Sequence, residues 1–203
     1  GAMYRVVTWA VLDRGVDVHD SEAVGVLAET LAITILPADG AQDGRHLTVL
    51  IDGVDVTWAL RTPEVDQNVS TVSAIPRVRA ALSRHQRQIG ALYAGGHAGK
   101  AGIVMVGRDI GTVVLPDAPL KIYLDAPVDE RARRRFVELK QRGKNLPFEQ
   151  VLADMQERDR IDSQRAIAPL RPADDACIIS TAGLGVQEIV QRIVVLANAD
   201  SEQ

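Results

Sequence analysis

Three short apolar runs, at 103–108, 120–124 and 176–180, alternate with stretches of helical periodicity at 128–142, 148–163 and 186–196. Strands separated by helices are joined by crossovers, so the pattern predicts a parallel sheet with helices on its faces. The first run ends in Gly107-Arg108-Asp109-Ile110-Gly111-Thr112. In open α/β sheets, ligands sit beyond the carboxyl ends of the strands. An arginine there can grip a phosphate with two donors, and a carboxylate can accept from an amino or hydroxyl group. A buried Arg–Asp pair that merely pins a turn would use the same two residues.

The first half has a different texture. Val6, Val7, Ala10 and Val11 recur at helical spacing until Gly15, and a second helix is expected over 21–31 with Ser21 as its N-cap. Ile33–Leu36, Leu47–Ile51 and Val54–Val56 then read as strands, with Asp52-Gly53 as a tight turn, which predicts a small antiparallel meander. Pro63 opens a helix, and Pro76 opens another that runs through Ile89. The glycine-rich piece Gly95-Gly96-His97-Ala98-Gly99-Lys100 fails as a phosphate loop. Ala94 stands where the first glycine is needed, and Ala101 stands where Ser or Thr is needed. A connector is expected there.

Composition narrows the function classes. Aromatic residues make up 3% of the 203 residues and the net charge is −4. This leaves few rings for stacking bases and no general attraction to nucleic acid or anionic membranes. No 18-residue apolar run is present, so no membrane-spanning helix is expected. The single cysteine, Cys177, lies in a strand-like run and is expected to be a buried, inert thiol. One cysteine fits a reducing, cytoplasmic setting.

Two arginine groups stand out. On helix 128–142, Ala132, Phe136 and Leu139 form the apolar stripe, and Arg131, Arg134, Arg135 and Arg142 lie away from it, as on a solvated face. On the next helix, Arg158, Asp162 and Arg165 share a face at i, i+4, i+7. They could form a self-satisfied surface network or a cluster facing an anionic ligand. Ala168-Pro169-Leu170-Arg171-Pro172 reads as a rigid extended segment.

Several motifs in register carry a resemblance. They are Gly1-Ala2-Met3-Tyr4-Arg5, Arg61-Thr62-Pro63-Glu64-Val65, Val69-Ser70 with Ile75-Pro76-Arg77-Val78-Arg79, and Gly107-Arg108-Asp109-Ile110-Gly111-Thr112-Val113-Val114. Glu130-Arg131-Ala132-Arg133-Arg134-Arg135 follows, then Glu157-Arg158-Asp159 with Asp162, Arg165 and Ala168-Pro169-Leu170. In order and spacing the chain resembles bacterial cytidylate kinases along essentially its whole length. The resemblance implies a P-loop-kinase-type three-layer α/β/α fold with a mostly parallel sheet and a small antiparallel β-insert. It implies a core of 1–32 and 103–203, with a lid at 131–160, and a monophosphate-binding insert at 33–102. It further implies a monomer that transfers the γ-phosphoryl of ATP to CMP or dCMP with Mg²⁺.

Carried over by motif, Arg5 and Arg108 would hold the acceptor phosphate. Ser70, Arg79, Asp109 and Arg165 would read cytosine, and Arg158 and Asp162 would bind the sugar hydroxyls. Arg131, Arg134, Arg135 and Arg160 would cover the ATP phosphates, with Ile161 where some family members carry another arginine. The allocation is chemically coherent. Cytosine offers an amino donor to Asp109 and ring acceptors to arginine and serine, whereas uracil would leave Asp109 facing an acceptor. The departure is at the start. The family's strand, Walker A loop and helix precede the Gly-Ala-Met-Tyr-Arg motif, and no Walker A motif occurs in these 203 residues. The chain is therefore expected to be a truncated, inactive piece of such a kinase, with an acceptor site and no ATP cradle. A non-catalytic CMP-binding or regulatory protein is the alternative. A nucleic-acid-binding module is opposed by charge and composition.

Overall fold

The computed structural model describes residues 1–38, 40, 42–94, 102–141 and 143–200. The glycine-rich piece at 95–101, Asp39 of the polar turn and Arg142 lie outside the described residues. The chain divides into two compact units, 1–108 and 109–203.

In the first unit, α1 (Ala2–Asp13) buries Met3, Tyr4, Val6, Val7, Ala10 and Val11. That set is the apolar stripe of a 3.6-residue period. Gly15 follows at φ +65, a conformation open to glycine at little cost. The N-cap of α2 (Ser21–Thr30) is Asp20, one residue earlier than expected. Its carboxylate accepts from the backbone N–H groups of Glu22 and Ala23, which Ser21 inside the first turn cannot do.

The meander forms as expected. β1 (Ile33–Pro37) pairs antiparallel with β2 (Leu47–Ile51) in the register Ile33↔Ile51 to Pro37↔Leu47, and β3 (Val54–Asp55) returns along β2. Both turn residues have positive φ, Asp52 at 50 and Gly53 at 83, the geometry whose twist matches a two-residue hairpin. Val49 and Ile51 point into the core while Leu36 faces solvent.

α3 (Pro63–Ala74) starts at its proline and buries Val65, Val69 and Val72. α4 (Pro76–Ala94) runs past Ile89 and carries Gly90 within the helix. It packs on α2, where Gly25 makes room: a Cβ at that position would lie 2.4 Å from Arg77 Cδ. The Arg77 guanidinium then reaches Glu22 at 2.5 Å and Glu29 at 2.7 Å.

The run at 103–106 does not form the expected strand. It makes no ladder among the described residues, and Val104 and Val106 are 89% and 82% exposed. A strand takes its backbone hydrogen bonds from neighbouring strands, so an apolar run with no ladder partner has no regular conformation to hold.

The second unit opens with a single wide turn at Ile110–Val114. β4 (Ile122–Asp125) then pairs in parallel with β5 (Cys177–Ser180), Ile122↔Cys177 through Asp125↔Ser180. The ladder begins two residues later than the apolar run at 120. Between the strands lie α5 (Val128–Gln141) and α6 (Phe148–Gln164), and α7 (Val186–Asp200) follows β5. Ala132, Leu139 and Val151 are buried, and Phe136 meets Phe148 edge to face at 6.0 Å. Cys177 is exposed, contrary to the expected buried thiol. A two-stranded sheet has little area to cover both faces of its strands, and Leu124 and Ile178 also face outward. Residues 166–168 bend, and Ala168 takes φ +51, so this segment is not the straight rod that its prolines suggested.

Candidate functional site

Among the described residues, Arg79, Asp109 and Asp162 are buried charged residues, and the side chains of Arg165 and Lys121 are buried as well, 7% and 8% exposed. Removing a charge from water is costly unless partners replace the hydration, so buried charges mark positions where the fold has arranged those partners.

In the second unit the arrangement lies on α6. Asp162, 3% exposed, receives Arg165 Nη1 on Oδ1 at 3.1 Å, and Arg158 Nε lies 3.9 Å from its Oδ2. The helical spacing thus places both arginines on one carboxylate, as the periodicity indicated. Arg165 is pinned a second time, because its Nε donates to Ala168 O at 2.5 Å. The chain turns back there, and Leu170 N donates to Asp162 O at 2.8 Å. The left-handed Ala168 is a local strain that this wrap maintains. Asp109, 5% exposed, is the N-cap residue of the wide turn, and its carbonyl accepts from Val113 N at 2.9 Å.

In the first unit, Arg79 stands on α4 and is 3% exposed. Its Nη1 donates to Ser73 O at 3.1 Å, and its guanidinium carbon lies 5.4 Å from the centre of the Tyr4 ring. Ser73 belongs to the last turn of α3, whose carbonyls lack partners within the helix. Arg5 projects from α1 to Asp66 at 2.6 Å and to Leu60 O at 3.1 Å. Ser70 is half-buried on α3, and Arg108 is half-buried at the end of the unit.

The remaining arginines are engaged by their own unit. Arg131 bonds Asp159 at 2.6 Å and Ala126 O at 3.0 Å. Arg134 contacts Glu130 and both oxygens of Thr181, and Arg135 contacts Glu138. Arg160 grips Glu157 through two nitrogens, and those hydrogen bonds hold the Glu157 carboxyl below its ordinary range. On helix 128–142 the side chains of Arg131, Arg134 and Arg135 are 36%, 41% and 30% exposed, less open than a freely solvated face, whereas Arg160 on α6 is more than half exposed.

Sequence reasoning did not single out Tyr4, Asp66, Asp159 or Thr181 as partners of these arginines. Tyr4 and Asp159 stood inside quoted motifs. Asp66 and Thr181 had no local signal, since each meets an arginine 61 or 47 residues away.

Comparison with known proteins agrees with the residues. The family described as Cytidylate kinase matches residues 1–199. A cytidylate kinase of Roseiflexus castenholzii is 46% identical over 194 residues, covering 96% of this chain and 78% of the relative. One from Desulfitobacterium hafniense is 44% identical over 198 residues, 98% of this chain and 79% of the relative. One from Herpetosiphon aurantiacus is 44% identical over all 203 residues and 82% of its own length.

Proposed function

The chain belongs to the cytidylate kinase family, and on that premise we propose that it holds CMP or dCMP as the acceptor of the γ-phosphoryl of ATP. The observation that carries this reading is that Arg79, Asp109, Asp162 and Arg165, four charged residues with buried side chains, are positions that the family motifs allot to the acceptor nucleotide. In this reading Arg5 and Arg108 grip the phosphate, and Ser70, Arg79, Asp109 and Arg165 read the base. Arg158 and Asp162 take the sugar hydroxyls. A 2′-deoxy sugar would forgo part of that last contact.

Phosphoryl transfer demands positioning and positive charge more than covalent chemistry, which suits a site built of arginines. Each arginine fork would orient an oxygen of the acceptor, and Asp109 would favour the cytosine amino group over a uracil carbonyl. Arg131, Arg134, Arg135 and Arg160 are proposed for the ATP phosphates. Their present carboxylate partners would have to be exchanged for phosphate when the nucleotide arrives. Mg²⁺ supplies charge neutralisation on those phosphates. Among the described residues no group of three His, Cys, Asp or Glu could cage a metal ion, so none is assigned to it. The division into a core of 1–32 and 103–203 and an insert of 33–102, the three-layer arrangement and the monomeric state belong to the same proposal.

Calorimetry with CMP, dCMP and UMP, run beside an ATP-dependent phosphorylation assay, tests it. CMP should bind and UMP should bind far more weakly. Asp162→Asn should lower CMP affinity by roughly ten- to a hundredfold, the scale of a lost charge-assisted contact. A folded chain that binds CMP no better than UMP would overturn the acceptor-site reading. Turnover separates a kinase from a protein that only binds CMP.

A further inference from the structure

We infer that Tyr4 is a positioning residue for the base-reading arginine: its ring holds the Arg79 guanidinium in place. This rests on the acceptor-site reading above, in which Arg79 meets cytosine. Tyr4 is fixed before any ligand arrives. It sits in the apolar stripe of α1 between Met3 and Val7 and is 9% exposed.

Arg79 comes to it from α4, and its guanidinium carbon lies 5.4 Å from the ring centre, within cation–π range. On its edge the same guanidinium donates to Ser73 O at 3.1 Å. The guanidinium is thereby held at two points, the ring and the carbonyl, where the hydrogen bond alone would let it swing about one axis.

The burial of Arg79 makes the ring more than packing. A guanidinium that is 3% exposed has lost most of its water, and an aromatic face attracts a desolvated cation more strongly than a hydrated one. An aliphatic side chain would fill similar space with no such attraction. A guanidinium already oriented spends no entropy on ordering when the base docks. The neighbouring Arg5 leaves the same helix turn toward Asp66, so adjacent residues serve different ends: Arg5 projects a charge, and Tyr4 orients one.

Three substitutions test this by calorimetry with CMP and by thermal melting. Tyr4→Phe keeps the ring and should bind CMP within about twofold of the parent. Tyr4→Leu removes the ring and should weaken CMP about tenfold, on the scale of a desolvated cation–π contact. Val7→Ala, a buried neighbour on α1 with no proposed ligand role, should lower the melting temperature while leaving CMP affinity within about twofold. Equal CMP affinity in Tyr4→Leu and Tyr4→Phe overturns the inference. So does a tenfold loss in Val7→Ala, which would make the effect one of helix stability. A parent chain that is folded but does not bind CMP overturns the acceptor-site reading itself, and is told apart because no variant is then needed.

Discussion

Outside the run at 103–106, residues 1–108 gather most of their aliphatic side chains inward. Val6, Val7, Val11, Val24, Val49, Val72, Val78 and Leu82 are almost fully buried in one cluster fed by α1, α2, α3, α4 and the meander. Residues 109–203 do the opposite along β5 and α7, where Ile178, Val186 and Val195 are 64%, 74% and 67% exposed. Both regions have aliphatic residues at helical and strand spacing, so pattern alone does not separate them. The first has four helices that pack on one another and a three-stranded sheet, so most of its amphipathic elements find an opposing face. The second has a two-stranded parallel sheet, and its α5 and α6 carry many surface ion pairs. Exposed pairs contribute little to stability, so they do not substitute for a core. Amphipathic periodicity specifies a face that can be buried, and only an opposing element buries it.

The contrast is broken most directly by matched truncations. Leu82→Ala should cost about 2–5 kcal/mol by opening a cavity among well-packed neighbours. Val194→Ala, at a half-exposed position on α7, should stay within about 0.5 kcal/mol. Both tryptophans, Trp9 and Trp58, lie in residues 1–108, so tryptophan fluorescence during urea unfolding follows that unit alone, and circular dichroism follows the whole chain. Comparable losses for the two variants would show that the units do not differ as described.

A smaller effect sharpens the account of the first unit. Gly25→Ala should destabilise it by about 1–3 kcal/mol, because the added methyl meets the Arg77 stem. In an Arg77→Ala background the cost should shrink, since Cδ and Cγ are gone and alanine outranks glycine in a helix by about 1 kcal/mol, with only the retained Cβ still 3.0 Å from the added methyl. Thermal melts of the single and double variants decide it. An additive pair would remove Arg77 as the cause.

Acid titration should give the least. Arg45, gripped by Asp43 and Asp55 beside the Trp58 indole, holds both carboxyls below their ordinary range, Asp55 at about 2. A carboxyl whose folded-state pKa is depressed contributes stability above its unfolded value. That contribution is complete above roughly pH 4 and fades as pH falls through about 2. The melting temperature of the first unit should drop across that window, and Arg45→Gln should flatten the drop. An unchanged slope in the variant would free this cluster from any part in acid sensitivity.

Much of the local structure was legible in the chain. Pro63 and Pro76 opened helices because their missing N–H costs nothing in a first turn. Asp52-Gly53 turned the hairpin because both residues tolerate positive φ. The grouping of Arg158, Asp162 and Arg165 followed from one helical face. Where reading failed, the missing information was a neighbour. The apolar runs at 103–108 and 176–180 looked alike, yet among the described residues only the second has a ladder partner, and Cys177 within it came out exposed.

The sequence by itself determined the family, the elements with strong local codes and the identity of the charged residues that the acceptor reading uses. These are written in contiguous motifs, caps and turns, whose physics acts over a few residues. Tertiary structure alone decided which of those charges were buried and what held them. Tyr4 under Arg79, Asp66 beside Arg5 and Thr181 against Arg134 join positions 47 to 75 residues apart, and no periodicity spans such distances. Burial is a property of opposing surfaces, and those exist only once the chain has folded.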